Sequence, residues 1–190
     1  MRKIATVLLT TATLCLAPLA LADEIADSID AARSAYDGGR TAETLRNLNA
    51  AREQVSRKMV ASLREALPAL DGWTIADGDD DAVATAYLGG AMVSRDYSRE
   101  DGTSMRVTVF IDSQMAEAMA IYLSNPQLAA SIGASMDSFG GNPGIILPDG
   151  AIHIGLTGGR AYIFIEGSAS AADKRSLADN INYGLIAGLQ

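Results

Sequence analysis

Cysteine and histidine are almost missing from this chain of 190 residues, which has one of each, Cys15 and His153. So few soft ligands leave no set for a structural zinc, which takes four Cys or His side chains, and no framework of disulfides. A serine nucleophile would depend on His153 alone as its base, and no Gly-x-Ser-x-Gly elbow supplies the serine. Basic residues are outnumbered 15 to 23 by acidic ones, for a formal charge of −8. That balance argues against nucleic acid and anionic lipid surfaces, both of which need a basic footprint. The sequence carries no catalytic or cofactor motif, and the expectation is a noncatalytic protein without metal or cofactor.

What is present begins with an address. Met1-Arg2-Lys3, the apolar run Ile4 to Leu21 and the ending Ala20-Leu21-Ala22 are the three parts of a secretory signal peptide, residues 1–22. Thr10, Thr11, Thr13 and Pro18 dilute the run, which falls at the short end for crossing a bilayer of about 30 Å. Cys15 follows Ala12-Thr13-Leu14, a poor lipobox, and leaves with the leader. Cleavage deletes Arg2 and Lys3 but no acid, taking the formal charge from −8 to −10 and leaving no cysteine. The bacterial periplasm is the expected location, with no membrane-spanning segment after cleavage, and an ordinary hydrophobic core must hold residues 23–190 together.

Residues 23–67 read as a helical hairpin. Ile25, Ile29, Ala32 and Tyr36 recur at helical spacing up to Asp37-Gly38-Gly39, and Leu45, Leu48, Val55, Met59, Leu63 and Leu67 follow, with Thr41 as the expected N-cap. Leu67-Pro68-Ala69-Leu70-Asp71-Gly72-Trp73 is an entry linker, and Trp73 starts a short strand as a core anchor. Asp77, Asp79 and Asp81 alternate as calcium ligands do, but Leu88 stands where an EF-hand has its closing Glu, which favours a solvated acidic loop.

The remaining chain, 68–190, reads as an α+β domain: an antiparallel sheet of two main hairpins with helices on one face. Asp101-Gly102 predicts a two-residue type I′ turn that pairs Tyr97 with Arg106, Arg95 with Thr108 and Val93 with Phe110. That register puts Met92, Ser94, Asp96, Met105, Val107, Val109 and Ile111 on a core face. Asp112 or Ser113 caps the next helix, which carries Met115, Met119, Tyr122 and Leu123 and stops at Asn125-Pro126, with a short helical turn from 127 to 132. Residues 133–150, rich in Gly, Ser, Asn and Pro, read as a mobile loop or a broken edge strand. Gly158-Gly159 closes a second hairpin with Ile152, Ile154, Leu156, Ala161, Ile163 and Ile165 on one face, and a helix over 171–187 ends the chain. The methionines, a Cu(I) ligand type, fall on core positions where methionine fills gaps.

If both hairpins join one sheet, the opposite face gathers Arg95, Tyr97, Arg106, Phe110, His153, Arg160, Tyr162 and Phe164. Aromatic surface with cationic groups, in an otherwise acidic protein, suits a protein partner or a small anionic or aromatic ligand. The alternative is that the N-terminal helical arm covers this face, with arginine stems lying along apolar surface. The expected function is therefore a noncatalytic periplasmic binding or accessory module acting through this sheet face. The other reading is an envelope assembly or stress factor that interacts through its helical arm.

Several segments carry a resemblance: LPALDGWT at 67–74, GGAMVSRDYSREDG at 89–102, VTVFIDS at 107–113 and NPQLAASIG at 125–133. With the closing amphipathic helix they resemble a group of uncharacterised exported proteobacterial proteins, which brings no activity with it. The order of sheet and helices is also similar to PsbP-like domains, which implies a noncatalytic accessory role. The hairpin, in Ala32, Ala35-Tyr36, Gly38-Gly39, Ala42, Leu45 and Leu48, resembles half of a tetratricopeptide-type unit, but a single copy is read as an arm of its own domain.

Overall fold

The computed structural model describes residues 17–78, 90–156 and 160–189. The expected leader up to residue 16, Asp79 and Asp81 of the acidic loop, and the Gly158-Gly159 turn lie outside the described residues. Two compact units divide the chain, Met1–Val55 and Ser56–Gln190. Among the described residues no helix is long and apolar enough to cross a membrane.

The first unit is helical. α1 (Ala17–Asp37) turns through Gly38 and Gly39, whose φ of +70° needs the freedom of glycine, into α2 (Thr41–Ala66). Thr41 is the first helical residue, and Arg40 precedes it with its guanidinium 2.7 Å from Glu43. Ala32, Ala35 and Ala51 are buried, and Ser28 bonds Gln54 at 3.4 Å, so small side chains form the inward line of this unit.

The second unit holds the end of α2 and an antiparallel sheet, so the class is α+β. Its strands are β1 (Thr74–Asp77), β2 (Ala91–Ser98), β3 (Ser104–Ile111), β4 (Ser135–Phe139), β5 (Asn142–Ile146), β6 (Ile152–Gly155) and β7 (Ala161–Gly167). They are ordered β1-β2-β3-β7-β6-β5-β4. The helices are α3 (Gln114–Ser124), α4 (Pro126–Ser131), α5 (Ala171–Asn180) and α6 (Tyr183–Ala187). Ser113 accepts from the Ala116 amide to cap α3, and the Asn125 side chain accepts from the Gln127 and Leu128 amides ahead of Pro126 to cap α4.

Three expectations change here. Residues 133–150, expected as a mobile loop or a broken edge strand, hold two strands at the sheet edge, β4 and β5, because Gly140 and Gly141 at φ of +54° and +82° make the two-residue turn that pairs Phe139 with Asn142. The closing helix breaks at Ile181-Asn182: the Asn182 amide donates to the Ala66 carbonyl at 2.9 Å, and its side chain accepts from the Leu185 amide to start α6. Finally, helices cover both sheet faces. Leu63 and Ala66 of α2, with Leu177, Ala178, Ile181 and Ile186, pack on the face that carries Val93, Val107, Val109, Ile154, Ile163 and Ile165. Ala116 and Leu123 of α3 and Ala129 of α4 pack on the other face, against Met92, Phe110, Ile145 and Tyr162.

Candidate functional site

The eight residues expected on one open sheet face do not share it. The β6–β7 register is the expected one, with Ile152 opposite Ile165 and His153 opposite Phe164. The β2–β3 register is shifted by one residue: Asp96 faces Arg106, Tyr97 faces Met105 and Arg95 faces Val107. The loop holds three residues rather than two. The Arg99 amide reaches the Thr103 carbonyl at 2.9 Å and the Gly102 amide reaches the Arg99 carbonyl at 3.1 Å, with Gly102 at φ +85°. Asp101 keeps a negative φ, which a type I′ turn does not allow, and its carboxylate accepts from the Thr103 amide at 2.9 Å. That bond holds its pKa below the usual carboxylate range.

The slip sends Arg95 and Tyr97 to the core face, where they tie down the chain leaving α2. Arg95 donates to the Leu67 carbonyl and to the Asp77 carboxylate, both at 2.7 Å, and the Tyr97 hydroxyl donates to the Pro68 carbonyl at 2.8 Å. Burial pushes the Tyr97 pKa up to about 12. Met92, Ser94 and Asp96 move to the opposite face instead. There Arg106 pairs with Asp96 at 2.7 Å, and Glu166 faces Arg106 from β7. These groups border a groove of about 260 Å³. Arg160 pairs with Asp112. Both exposed cations of the expected site are therefore neutralised.

The aromatic members other than Tyr97 lie together under α3. Phe110 stacks on Tyr162 with ring centres 5.9 Å apart, and His153 lies 4.7 Å from Phe164. Gly155 leaves the room α3 needs, since a Cβ there would meet the Leu123 side chain at 2.7 Å. His153 Nδ1 is hydrogen-bonded to the Tyr162 hydroxyl, whereas Nε2 is buried without a partner. Burial pushes the Tyr162 pKa up and the His153 pKa down, with Asp149 partly opposing the second shift. Among the described residues no serine and no carboxylate hydrogen-bonds this ring, so the geometry of a catalytic triad is not assembled around it.

The orphaned Nε2 has a measurable consequence. Above about pH 6.5 the ring is neutral in both folded and unfolded chains. Below that value the unfolded chain takes up a proton that the folded chain resists, so stability falls as the pH drops toward the lowered folded value. The slope approaches about 1.4 kcal/mol per pH unit for one proton. Asp96, Asp137 and Asp173, whose pKa values are lowered by hydrogen bonds from Arg106, Arg175 and Ser170, lose their contribution only in a more acidic window. Urea unfolding at pH 7.0 and 5.5 should show His153→Phe losing less stability than the parent chain over that interval, by up to about 1 kcal/mol. Equal losses would exclude His153 as the source.

A cavity of about 360 Å³ lies elsewhere in the second unit. Trp73, Arg99 and Asp173 form its wall, with the Arg99 guanidinium 4.1 Å over the indole and 2.8 Å from the Asp173 carboxylate. Sequence spacing gave no sign of this cluster, because its members come from the entry linker, the β2–β3 turn and α5. The only cue was that Trp73 is the sole tryptophan. Among the described residues no group of three or more His, Cys, Asp or Glu could hold a metal ion. No protein-family model, curated protein or solved structure matches this chain.

Proposed function

We propose that this chain is an exported, noncatalytic binding or accessory module of the bacterial periplasm, which meets a protein partner through its helical hairpin. One observation carries the choice of surface. Ile29, Tyr36, Leu45, Leu48 and Val55 of the first unit are between 40% and 74% exposed although they are large and apolar, whereas Ile25 is half-buried. On α1, Ile29 and Tyr36 lie roughly 75° around the helix from the inward line of Ser28, Ala32 and Ala35. On α2, Leu45, Leu48 and Val55 lie roughly 90° around, in the same rotational sense, from Ala51 and Gln54. The two helices run antiparallel, so equal senses of rotation bring both stripes to the same side. Alanines pack the hairpin while these five larger residues stay outside, a pattern that fits an interaction surface.

The sheet-face reading asks for cationic and aromatic groups on one open surface; Arg95 and Tyr97 lie on the opposite face, Arg106 and Arg160 are each paired with a carboxylate, and the rings pack under α3, which favours the hairpin. The basic start, apolar run and Ala-x-Ala ending of residues 1–22, read as a leader, support the periplasmic part. A photo-crosslinking residue placed at Leu45 or Leu48, in cells that make the full chain, should give one discrete adduct in the periplasmic fraction. A Leu45→Gln, Leu48→Gln double variant should lose that partner. Adducts formed from position 106 but not from 45 or 48 would return the contact to the sheet. Processed protein that does not begin at Asp23 would count against the cleavage site.

A further inference from the structure

We infer that the cavity beside Trp73 is a binding site for a neutral saccharide of one or two rings. Its volume, about 360 Å³, stands at the small end of the range for ligand pockets, about 300 to 1,000 Å³. Trp73 supplies a flat apolar wall, and Asp71, Asp173, Ser176 and Asn180 supply polar ones. Asp173, Ser176 and Asn180 stand three and four residues apart on α5, which aligns them along one helix face.

The state of each group selects the class of ligand. Arg99 is held from two sides, by the indole at 4.1 Å and by the two Asp173 carboxylate oxygens at 2.8 and 3.4 Å. Asp173 is itself fixed, because the Ser170 hydroxyl donates to it at 2.6 Å. Asn180 donates its amide nitrogen to the Ser176 carbonyl at 2.8 Å, which leaves its side-chain oxygen as an acceptor. The wall is thus ordered without a ligand, and little side-chain entropy remains to be lost on binding. An amine would find Asp173 already paired with Arg99 on both oxygens and could use only Asp71. An anion would meet Asp71, the one carboxylate of the wall that Arg99 does not balance. A wholly apolar ligand would strip water from Asp173, Ser176 and Asn180 and return no hydrogen bonds. A neutral pyranose fits this wall: its C–H groups pack against the part of the indole that Arg99 leaves uncovered, and its hydroxyls both donate to carboxylate and amide oxygens and accept from the guanidinium. The site lies wholly within the second unit and is independent of the hairpin surface.

Trp73 is the only tryptophan, so its fluorescence reads this cavity alone. The full chain would be titrated with glucose, N-acetylglucosamine and a disaccharide of each, with spermidine and inorganic phosphate as the charged probes. The expected result is a saturable change in emission with the neutral sugars, at a Kd in about the millimolar range. Asn180→Ala, an exposed site that leaves the Trp73–Arg99–Asp173 contacts in place, should weaken binding by about five- to tenfold with an unchanged circular dichroism spectrum. The inference is overturned by a sugar response that is absent or non-saturating, by equal affinity in Asn180→Ala and Ser176→Ala, or by saturation with spermidine or phosphate instead.

Discussion

Arg95→Ala is expected to lower the free energy of unfolding by about 2 to 4 kcal/mol, whereas Arg106→Ala should cost no more than about 1 kcal/mol. The two arginines looked equivalent in the sequence, but their surroundings differ. Arg106 stands 50% exposed against an exposed Asp96, and such pairs contribute little once solvent screening and side-chain entropy are counted. The Arg95 side chain is only 13% exposed. The partner that matters is the carbonyl of buried Leu67, directly beyond the last turn of α2, where helix carbonyls have no partner of their own. Removing the guanidinium leaves that oxygen buried and unpaired, which costs more than the lost ion pair with half-exposed Asp77. Tyr97 holds the next carbonyl, that of Pro68, so Tyr97→Phe should weaken the same junction by about 1 kcal/mol. Urea unfolding followed by Trp73 fluorescence and circular dichroism would check this order. Equal effects of Arg95→Ala and Arg106→Ala would contradict the assignment of Arg95 to the core face.

Gly90→Ala should be more damaging still, by about 3 to 5 kcal/mol. Gly90 leads into β2 with φ +66°, a conformation that costs an alanine roughly 1 to 2 kcal/mol by itself. Its new Cβ would also stand 1.8 Å from the Ile111 carbonyl oxygen and 2.7 Å from that of Asp112. Those atoms are backbone and cannot turn aside as a side chain would. They also belong to the place where β3 ends, Asp112 takes φ +51° and Ser113 starts α3, so a shift there loosens both the sheet and the helix above it. The substitution should lower the urea midpoint sharply or leave the chain insoluble. Gly102→Ala, with a positive φ but nothing within 4 Å of the new Cβ, should show only the conformational part. Similar losses at the two glycines would mean that the contact with Ile111 is not the cause.

The sequence made some features of this fold readable and hid others for identifiable reasons. The β6–β7 pairing was legible because strict alternation of isoleucines leaves one register that buries them all. Ser113 and Asn125 were legible as chain punctuation. The β2–β3 register was not, because Asp-Gly serves both a two-residue turn and the end of a three-residue loop, and both strands have apolar residues on either face. One slipped residue exchanged Arg95 and Tyr97 for Met92, Ser94 and Asp96, and the expected surface came apart with it. β4 and β5 were obscured by Pro143 and small polar residues, although Gly140-Gly141 is the same hairpin signal read at 158–159. The exposed stripe of α1 and α2 was visible as periodicity, but periodicity does not say which side of a helix the neighbour takes. Small alanines took the inside.

The strand order β1-β2-β3-β7-β6-β5-β4 also decides how the second unit is assembled in time. β1, β2 and β3 follow one another along the chain, and so do β4, β5, β6 and β7; each set is a meander whose neighbours are also close in sequence. The two sets meet at a single seam, where Ile111 pairs with Ala161 and Met105 with Gly167. Pairing inside a meander closes short loops, whereas the seam must close the whole stretch from β3 to β7. The seam also carries fully buried Val107, Val109, Ile163 and Ile165, the centre of the larger core. The principal entropy cost and the principal hydrophobic gain thus fall in the same event, and until it happens neither meander has the neighbour that completes its buried face.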